Sequence, residues 1–582
     1  MHTGWGLHEP DLVYALIQFG IRKETDMKTR TPAVRSLACG LLLVGTTLGC
    51  SQPGPEQTSD GTRLATSETT VRHALPPNNP YLIQNSVYPM VHFDVGATDT
   101  TTLPSWPGDT TLEPSQIQWI PGVTTIGTAH RPYSGGEHAI FFAGGNRIGK
   151  IRITDGDFSL VHEVPIPGLE DKTMLPEEIR DIPQQMEAAE GDEEKYLAPY
   201  RKFLERTDQC SETISNGIYT VMDRDGFYYA GWGTSVYKAG DVREGDVNSP
   251  IEIVEVFDMR DGMPEDLRDK ISRIFAFSMT YDGYLVVAMP GTIAVMDRDF
   301  GDFHFIYLEG EAVDNGISVD ENGGIYCVTS KYMRKFVWDG EKLSDDEADG
   351  AWKSEYDYVP NPKAFSRGAG NTPALMGFGP DDDKLVVLAD AGAEISVIAF
   401  WRDEIPEGFE QKPGTKSRRI ADQLPLTIDV PATIEWSPHV YGNGVMMMAS
   451  AWPDPVKQKN GKVAIFESVL TAGITREAPV GSEKWSWDSE TDSFTSDWTV
   501  DYPLQWALHP VSAASNTVTL TPFEDGVYSL VHFDWDTGEE VGRVILGTNP
   551  IFNTAGGVFI PLDENDIYVT GVFGPVRISK VK

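Results

Sequence analysis

Residues 314–328 read DNGISVDENGGIYCV, Asp314 to Val328, and this stretch decides the fold. Asn315-Gly316 opens it. Ile317 and Val319 then alternate with Ser318 and Asp320, the period-2 signature of a half-buried strand. Asp320-Glu321-Asn322-Gly323 supplies a turn, because Asn and Gly tolerate the positive φ that a tight hairpin requires. Ile325, Tyr326, Cys327 and Val328 form a return strand of β-favouring residues.

The same grammar recurs outward along the chain. Asn216 opens NGIYTVMDRDGFYYAG, Asn371 opens NTPALMGFGPDDDKLVVLAD, Asn516 opens NTVTLTPFEDGVYSLVHFD and Asn553 opens NTAGGVFIPLDENDIYVTG. Weaker copies begin near Thr128, Phe275 and Glu435. The starts lie roughly 40 to 80 residues apart, the spacing of propeller blades with loop insertions. The expectation is an all-β chain, a β-propeller of six to eight four-stranded blades with eight favoured. The blades are placed near 117–168, 212–258, 270–310, 312–358, 366–420, 430–500, 505–547 and 550–580.

Residues 88–106, YPMVHFDVGATDTTTLPSW, echo VHFDWDTGEEVGRVILG from Val531. They are read as an outer strand through which the N-terminus closes the ring, since closure removes exposed sheet edges. The acidic stretch 169–211 is rich in helix formers with prolines at plausible starts, and predicts a helical insertion. Trp338-Asp339, Trp487-Asp488 and Trp535-Asp536 recur in expected outer strands, where tryptophan fills the wedge between blades.

With 87 acidic against 47 basic residues the formal net charge is −40. That balance excludes a nucleic-acid partner, which requires clustered Lys and Arg. Residues 1–26 are unlike the rest and read as upstream sequence. From Met27 a basic segment, the short apolar run LACGLLLVGTTLG and Cys50 follow the plan of an export signal, too short to span a membrane comfortably. Gly49-Cys50 resembles a bacterial lipobox, which makes Cys50 the lipidated N-terminus of an exported protein held in the cell envelope, facing the periplasm from the outer membrane. Residues 50–80 read as a polar tether and 81–582 as the propeller domain. Cys210 and Cys327 are the remaining thiols, and their separation in sequence leaves pairing open.

The chain carries no nucleophile elbow, P-loop, dinucleotide fingerprint or zinc spacing. His130, His439 and His509 are dispersed and read as structural. The blade openers are the better clue. First strands of blades line the central channel, so residues at their starts converge on the axis. Asn216, Asn315, Asn371, Glu435 and Asn553 are therefore the candidate cation ligands, with Asp314 adding charge. Amide and carboxylate oxygens suit Ca²⁺, which takes six to eight oxygen ligands. The alternative is that these asparagines cap strands through backbone hydrogen bonds.

DNGISVDENGG resembles the PNGLxxSxDG-type hairpin of the gluconolactonase, senescence-marker and strictosidine-synthase-like propellers. The resemblance implies that Asn315, and less securely Asn216, help hold a channel Ca²⁺ that polarises a lactone or ester carbonyl. It covers two hairpins, and the chain departs from those families in length and in its acidic insertion. Two functions follow as expectations. One is a lactone or ester hydrolase with its site in the channel and His439, His130 or Asp314 as general acid/base. The other is a non-catalytic propeller that binds a protein, lipid or polymer at the envelope. A quinone-cofactor dehydrogenase is disfavoured, because no docking tryptophan repeat in register and no vicinal cysteine pair is found.

Overall fold

The computed structural model describes residues 71–582 except 107, 155, 190, 208–215, 361–365, 429–433, 450–451, 459–460, 462, 555 and 581–582. The signal segment, Cys50, most of the tether and Cys210 lie outside the described residues. Residues 71–80 lie against the propeller: Val71 and Leu75 pack on its core, and the Arg72 amide donates to the Tyr441 hydroxyl at 3.1 Å. Cys327 is buried and unbridged. Burial pushes its thiol up to about 12.

The chain is a β-propeller. Its described strands fall into eight sheets. Seven are blades whose four principal strands are contiguous in sequence, with innermost strands Thr128–Pro132, Thr220–Met222, Ala276–Met279, Ser318–Val319, Ala374–Met376, His439–Tyr441 and Val511–Ser512. These are blades 1 to 7 below. The eighth sheet is composite: Gly557–Pro561, Asp566–Val569 and Val576–Ser579 take Ile117–Trp119 from the N-terminal side as their outer strand. Closure thus joins the two ends of the domain, and Thr124 and Gly571 exchange hydrogen bonds beside that seam.

Burial falls from axis to rim, and the sequence follows it. In blade 3 the second strand, Leu285–Met289, is wholly buried, an apolar run between neighbouring sheets. Each such Val or Leu contributes about 1.5–3 kcal/mol of burial. The outer strand of blade 2, Ile251–Asp258, is largely exposed and carries Glu252 and Glu255. Charges there discourage edge-to-edge pairing. The three Trp-Asp tryptophans lie at or just past the end of the third strand of their blades, not in the outer one. Each bonds the first hairpin of the preceding blade: Trp338 Nε1 donates to Asp282 at 2.9 Å, Trp487 Nε1 to Asp383 at 2.8 Å and Trp535 Nε1 to the Tyr441 carbonyl at 3.3 Å.

Residues 88–106 do not form an outer strand. Tyr88 to Thr101 is buried throughout and runs along the axis. The Tyr88 carbonyl accepts from His130 in blade 1, Pro89 from Met222 in blade 2, Val95 from Val319 in blade 4, Gly96 from Leu375 in blade 5, Thr98 from Val440 in blade 6 and Asp99 from Val511 in blade 7. Asn79, just upstream, donates to Met279 and Thr280 of blade 3. A chain that meets each inner strand in turn must coil, not extend. His92, Phe93, Ala97 and Asp99 accordingly hold left-handed φ of 69°, 69°, 56° and 57°. The channel is therefore filled by the protein's own N-terminal segment.

Helices α1 (Pro176–Arg180), α2 (Ile182–Glu187) and α3 (Glu193–Arg206) form the insertion between blades 1 and 2. Leu197, Tyr200 and Phe203 of α3 share an apolar cluster with Val572, Phe573 and the helix Ile465–Thr471, itself an insertion in blade 6. Among the described residues no helix is long and apolar enough to cross a membrane.

Candidate active site at the channel mouth

A cavity of about 70 Å³ lies at one end of the axis. Its walls are the residues just before the inner strands: Thr125 and Ile126 of blade 1, Tyr219 of blade 2, Phe275 of blade 3, Asn315 of blade 4, Glu435 to Ser437 of blade 6 and Gly556 of the composite sheet. Blade starts converge there because every inner strand runs away from the same mouth. His92 of the axial segment also lines the cavity, and Ile465 and Phe466 of the blade 6 helix close it.

His92 is the chemical centre. Its Nδ1 lies 2.9 Å from Asp99 Oδ1, and its Nε2 lies 3.3 Å from the Ser437 hydroxyl. A carboxylate can only accept, so Nδ1 donates to Asp99, and in that tautomer of the neutral ring Nε2 is left to accept from Ser437. All three residues are buried, with Asp99 fully so. His439 braces the set. Its Nδ1 sits 3.0 Å from the Ser437 carbonyl and 3.6 Å from Asp99 Oδ2. Burial lowers the His439 pKa and keeps the ring neutral. The ring of His509 lies 6.0 Å from that of His439 and is held neutral by burial too. Trp436 Nε1, in the same cavity wall, is buried without a hydrogen-bond acceptor among the described residues. A serine, an imidazole with a free lone pair and a carboxylate in series form the activated-nucleophile arrangement of acyl transfer.

The sequence-named residues divide. Asn315 and Glu435 line the cavity, and the Asn315 amide donates to the Gly370 carbonyl at 2.5 Å and the Glu435 carbonyl at 3.4 Å. Asn371 is wholly buried and donates to the carbonyls of Ala369, Ala389 and Ile434. Asn216 accepts from the Gly233 amide at 3.4 Å, and Asn553 donates to Val469 at 3.5 Å. Asn516 donates to Asp536 at 3.0 Å in the outer turn of blade 7. Asp314 is ion-paired with Arg367. His130 packs on His138 and Ser86 in blade 1, and burial takes it down to about 3.

The candidate ligand oxygens differ in how far they are already engaged: Asn371 Oδ1 is buried with no hydrogen-bond donor among the described residues. The Asn315 carbonyl oxygen, the atom a hard cation would take, already accepts from Tyr219 at 2.6 Å, Thr372 at 2.9 Å and the Gly316 amide at 2.8 Å. Among the described residues no three His, Cys, Asp or Glu are placed to share a metal. Reading the openers by type found the cavity wall but not its reactive group, because His92 and Ser437 lie 345 positions apart. His92 and Asp99, both in the axial stretch, were the one available signal.

No protein-family profile matches the chain. It is 27% identical over 379 residues to an uncharacterized protein of Archaeoglobus fulgidus, across 62% of this chain and 70% of that one. Similar solved structures include a quinohemoprotein alcohol dehydrogenase of Pseudomonas putida HK5, with 11% identity, 84% of this chain and 76% of that chain covered, and a TM-score of 0.47. A putative 6-phosphogluconolactonase of Bacteroides fragilis NCTC 9343 shows 10% identity over 75% of this chain and all of that chain, with a TM-score of 0.35. These likenesses carry no argument about the reaction.

Proposed function

We propose that the protein is a serine-dependent hydrolase of an ester or lactone, acting in the cavity at the channel mouth. One observation carries the reading: His92 joins the Ser437 hydroxyl to the Asp99 carboxylate through its two ring nitrogens. Ser437 Oγ attacks the substrate carbonyl carbon and passes its proton to His92 Nε2, while Asp99 stabilises the imidazolium. Collapse of the tetrahedral adduct expels the alkoxide, which takes the proton from His92 and leaves acyl-Ser437. Water then attacks the acyl carbon, giving its proton to His92. The second collapse releases the carboxylic acid and returns the proton to Ser437. No step passes through a metal.

His439 orients the set from behind, through its Nδ1–H to the Ser437 carbonyl. The lipid anchor expected at Cys50 would present the site at the cell envelope. The test is hydrolysis of p-nitrophenyl acetate and γ-butyrolactone by residues 51–582, beside Ser437→Ala and His92→Gln. Turnover lost in both variants, with folding retained, supports the reading. Turnover unchanged in Ser437→Ala removes Ser437 as the nucleophile, and no turnover by the wild type returns the molecule to the role of a binding platform.

A further inference from the structure

The cavity lining has two unlike sets of residues. Ser437, His92, Asn315 and Glu435 are polar, and Trp436, Trp506, Ile126, Val572, Ile465 and Phe466 are apolar. The apolar set continues into an aromatic cluster of Trp436, Trp506 and Trp452, whose successive ring centroids lie 5.0 and 5.2 Å apart with the rings tilted or edge-on. None of the described lining residues is Lys or Arg, and the one carboxylate is Glu435. A phosphate or carboxylate on the substrate would meet no Lys or Arg to offset the cost of burying its charge.

Size narrows the class further. The cavity measures about 70 Å³. An apolar cavity that takes benzene measures about 150 Å³. The acyl part admitted is therefore well below a benzene ring, a chain of about two to four carbons by that comparison. Phe466 lines the cavity at the start of the helix Ile465–Thr471; it is half-buried and packs against the helical cluster in which its neighbour Ile465 is buried.

We propose that the site takes uncharged short-chain esters or small lactones, and that Phe466 is the residue that sets acyl length. The proposal rests on the hydrolase reading but is read separately from it. Binding of methyl butyrate, methyl octanoate and succinate monomethyl ester is measured by calorimetry on Ser437→Ala, which cannot turn the esters over, with and without Phe466→Ala. Hydrolysis of p-nitrophenyl esters from acetate to octanoate is measured on the wild type and on Phe466→Ala. Expected are at least tenfold tighter binding of butyrate than of octanoate or the succinate ester, and a chain-length optimum that moves up by two carbons or more in Phe466→Ala, in binding and in turnover. Octanoate or succinate ester binding as tightly as butyrate overturns the proposal, as does an unchanged profile in Phe466→Ala, even if hydrolysis is robust. The expected binding order without any wild-type turnover would uphold the size and charge assignment and overturn the hydrolase reading alone.

Discussion

The Nδ1 atom of His92 lies 2.9 Å from Oδ1 of Asp99, seven residues further along one buried segment, and both residues hold left-handed backbone. The pair exists because the segment coils through the axis. Left-handed conformations cost about 1–3 kcal/mol each for residues with side chains and persist only where the surroundings impose them. Here the inner strands of the blades impose them, and the coil turns an imidazole toward Ser437.

The carboxylate fixes the tautomer, so Asp99→Asn should place the wrong nitrogen toward Ser437. The expected loss in kcat is about 10⁴-fold with KM changed little. Because Asp99 is fully buried, circular dichroism and the melting temperature accompany the assay. A variant that folds and keeps full activity contradicts the role given to Asp99.

His439 touches the backbone of Ser437 and faces Asp99, which makes it a positioning residue. His439→Gln should lower kcat by about 10- to 100-fold while leaving KM near the wild-type value, a loss of orientation and not of binding. A rise in KM with kcat unchanged would place His439 in substrate binding instead.

Phe93 is fully buried on the axis, edge-on to Tyr88 at 4.7 Å. Phe93→Ala should destabilise by about 3–5 kcal/mol, the usual result of emptying a packed aromatic site. Val256→Ala, on the exposed outer strand of blade 2, should change stability by less than about 0.5 kcal/mol. Paired chemical denaturation midpoints test whether the axial segment is part of the folded core.

Asp390 accepts hydrogen bonds from Gly392, Ser396 and Gln423, yet burial and then the nearby Asp357 raise its pKa to about 7. The unfolded carboxyl ionises near 3.9, so between about pH 4 and 7 the unfolded chain holds fewer protons than the native one. Its contribution to stability therefore falls as pH rises through that window and is level above it. Asp390→Asn should raise the melting temperature at pH 8 and leave it nearly unchanged at pH 4. An equal shift at both values contradicts the assignment.

The proposed mechanism has no step for calcium. Ester hydrolysis should be the same in millimolar calcium and in excess chelator, because the Asn315 oxygen is already held by Tyr219, Thr372 and Gly316. Loss of activity on chelation, restored by calcium, would return the openers to a metal site.

Much of the scaffold is legible in the sequence because its signals are local. The hairpin at Asp320 to Gly324 needs only an Asn-Gly turn between alternating strands, and the convergence of Asn315 and Glu435 follows from where inner strands begin. The axial segment is not legible on those terms. Val91-His92-Phe93-Asp94 repeats the tetrapeptide of Val531-His532-Phe533-Asp534, yet the second is a strand and the first a coil with positive φ at His92 and Phe93. Tertiary contacts with successive blades, not local propensity, decide between them. The reactive set was hidden for the same reason. Ser437 and His92 meet only once the N-terminal segment has entered the channel that blade 6 helps to form.

The most direct test of Ser437 as nucleophile is covalent labelling with a small fluorophosphonate, followed by peptide mass spectrometry. The account predicts one adduct, on Ser437, formed by the wild type, suppressed in His92→Gln and absent in Ser437→Ala. An adduct on another serine, or none in a wild-type protein that hydrolyses esters, would contradict it.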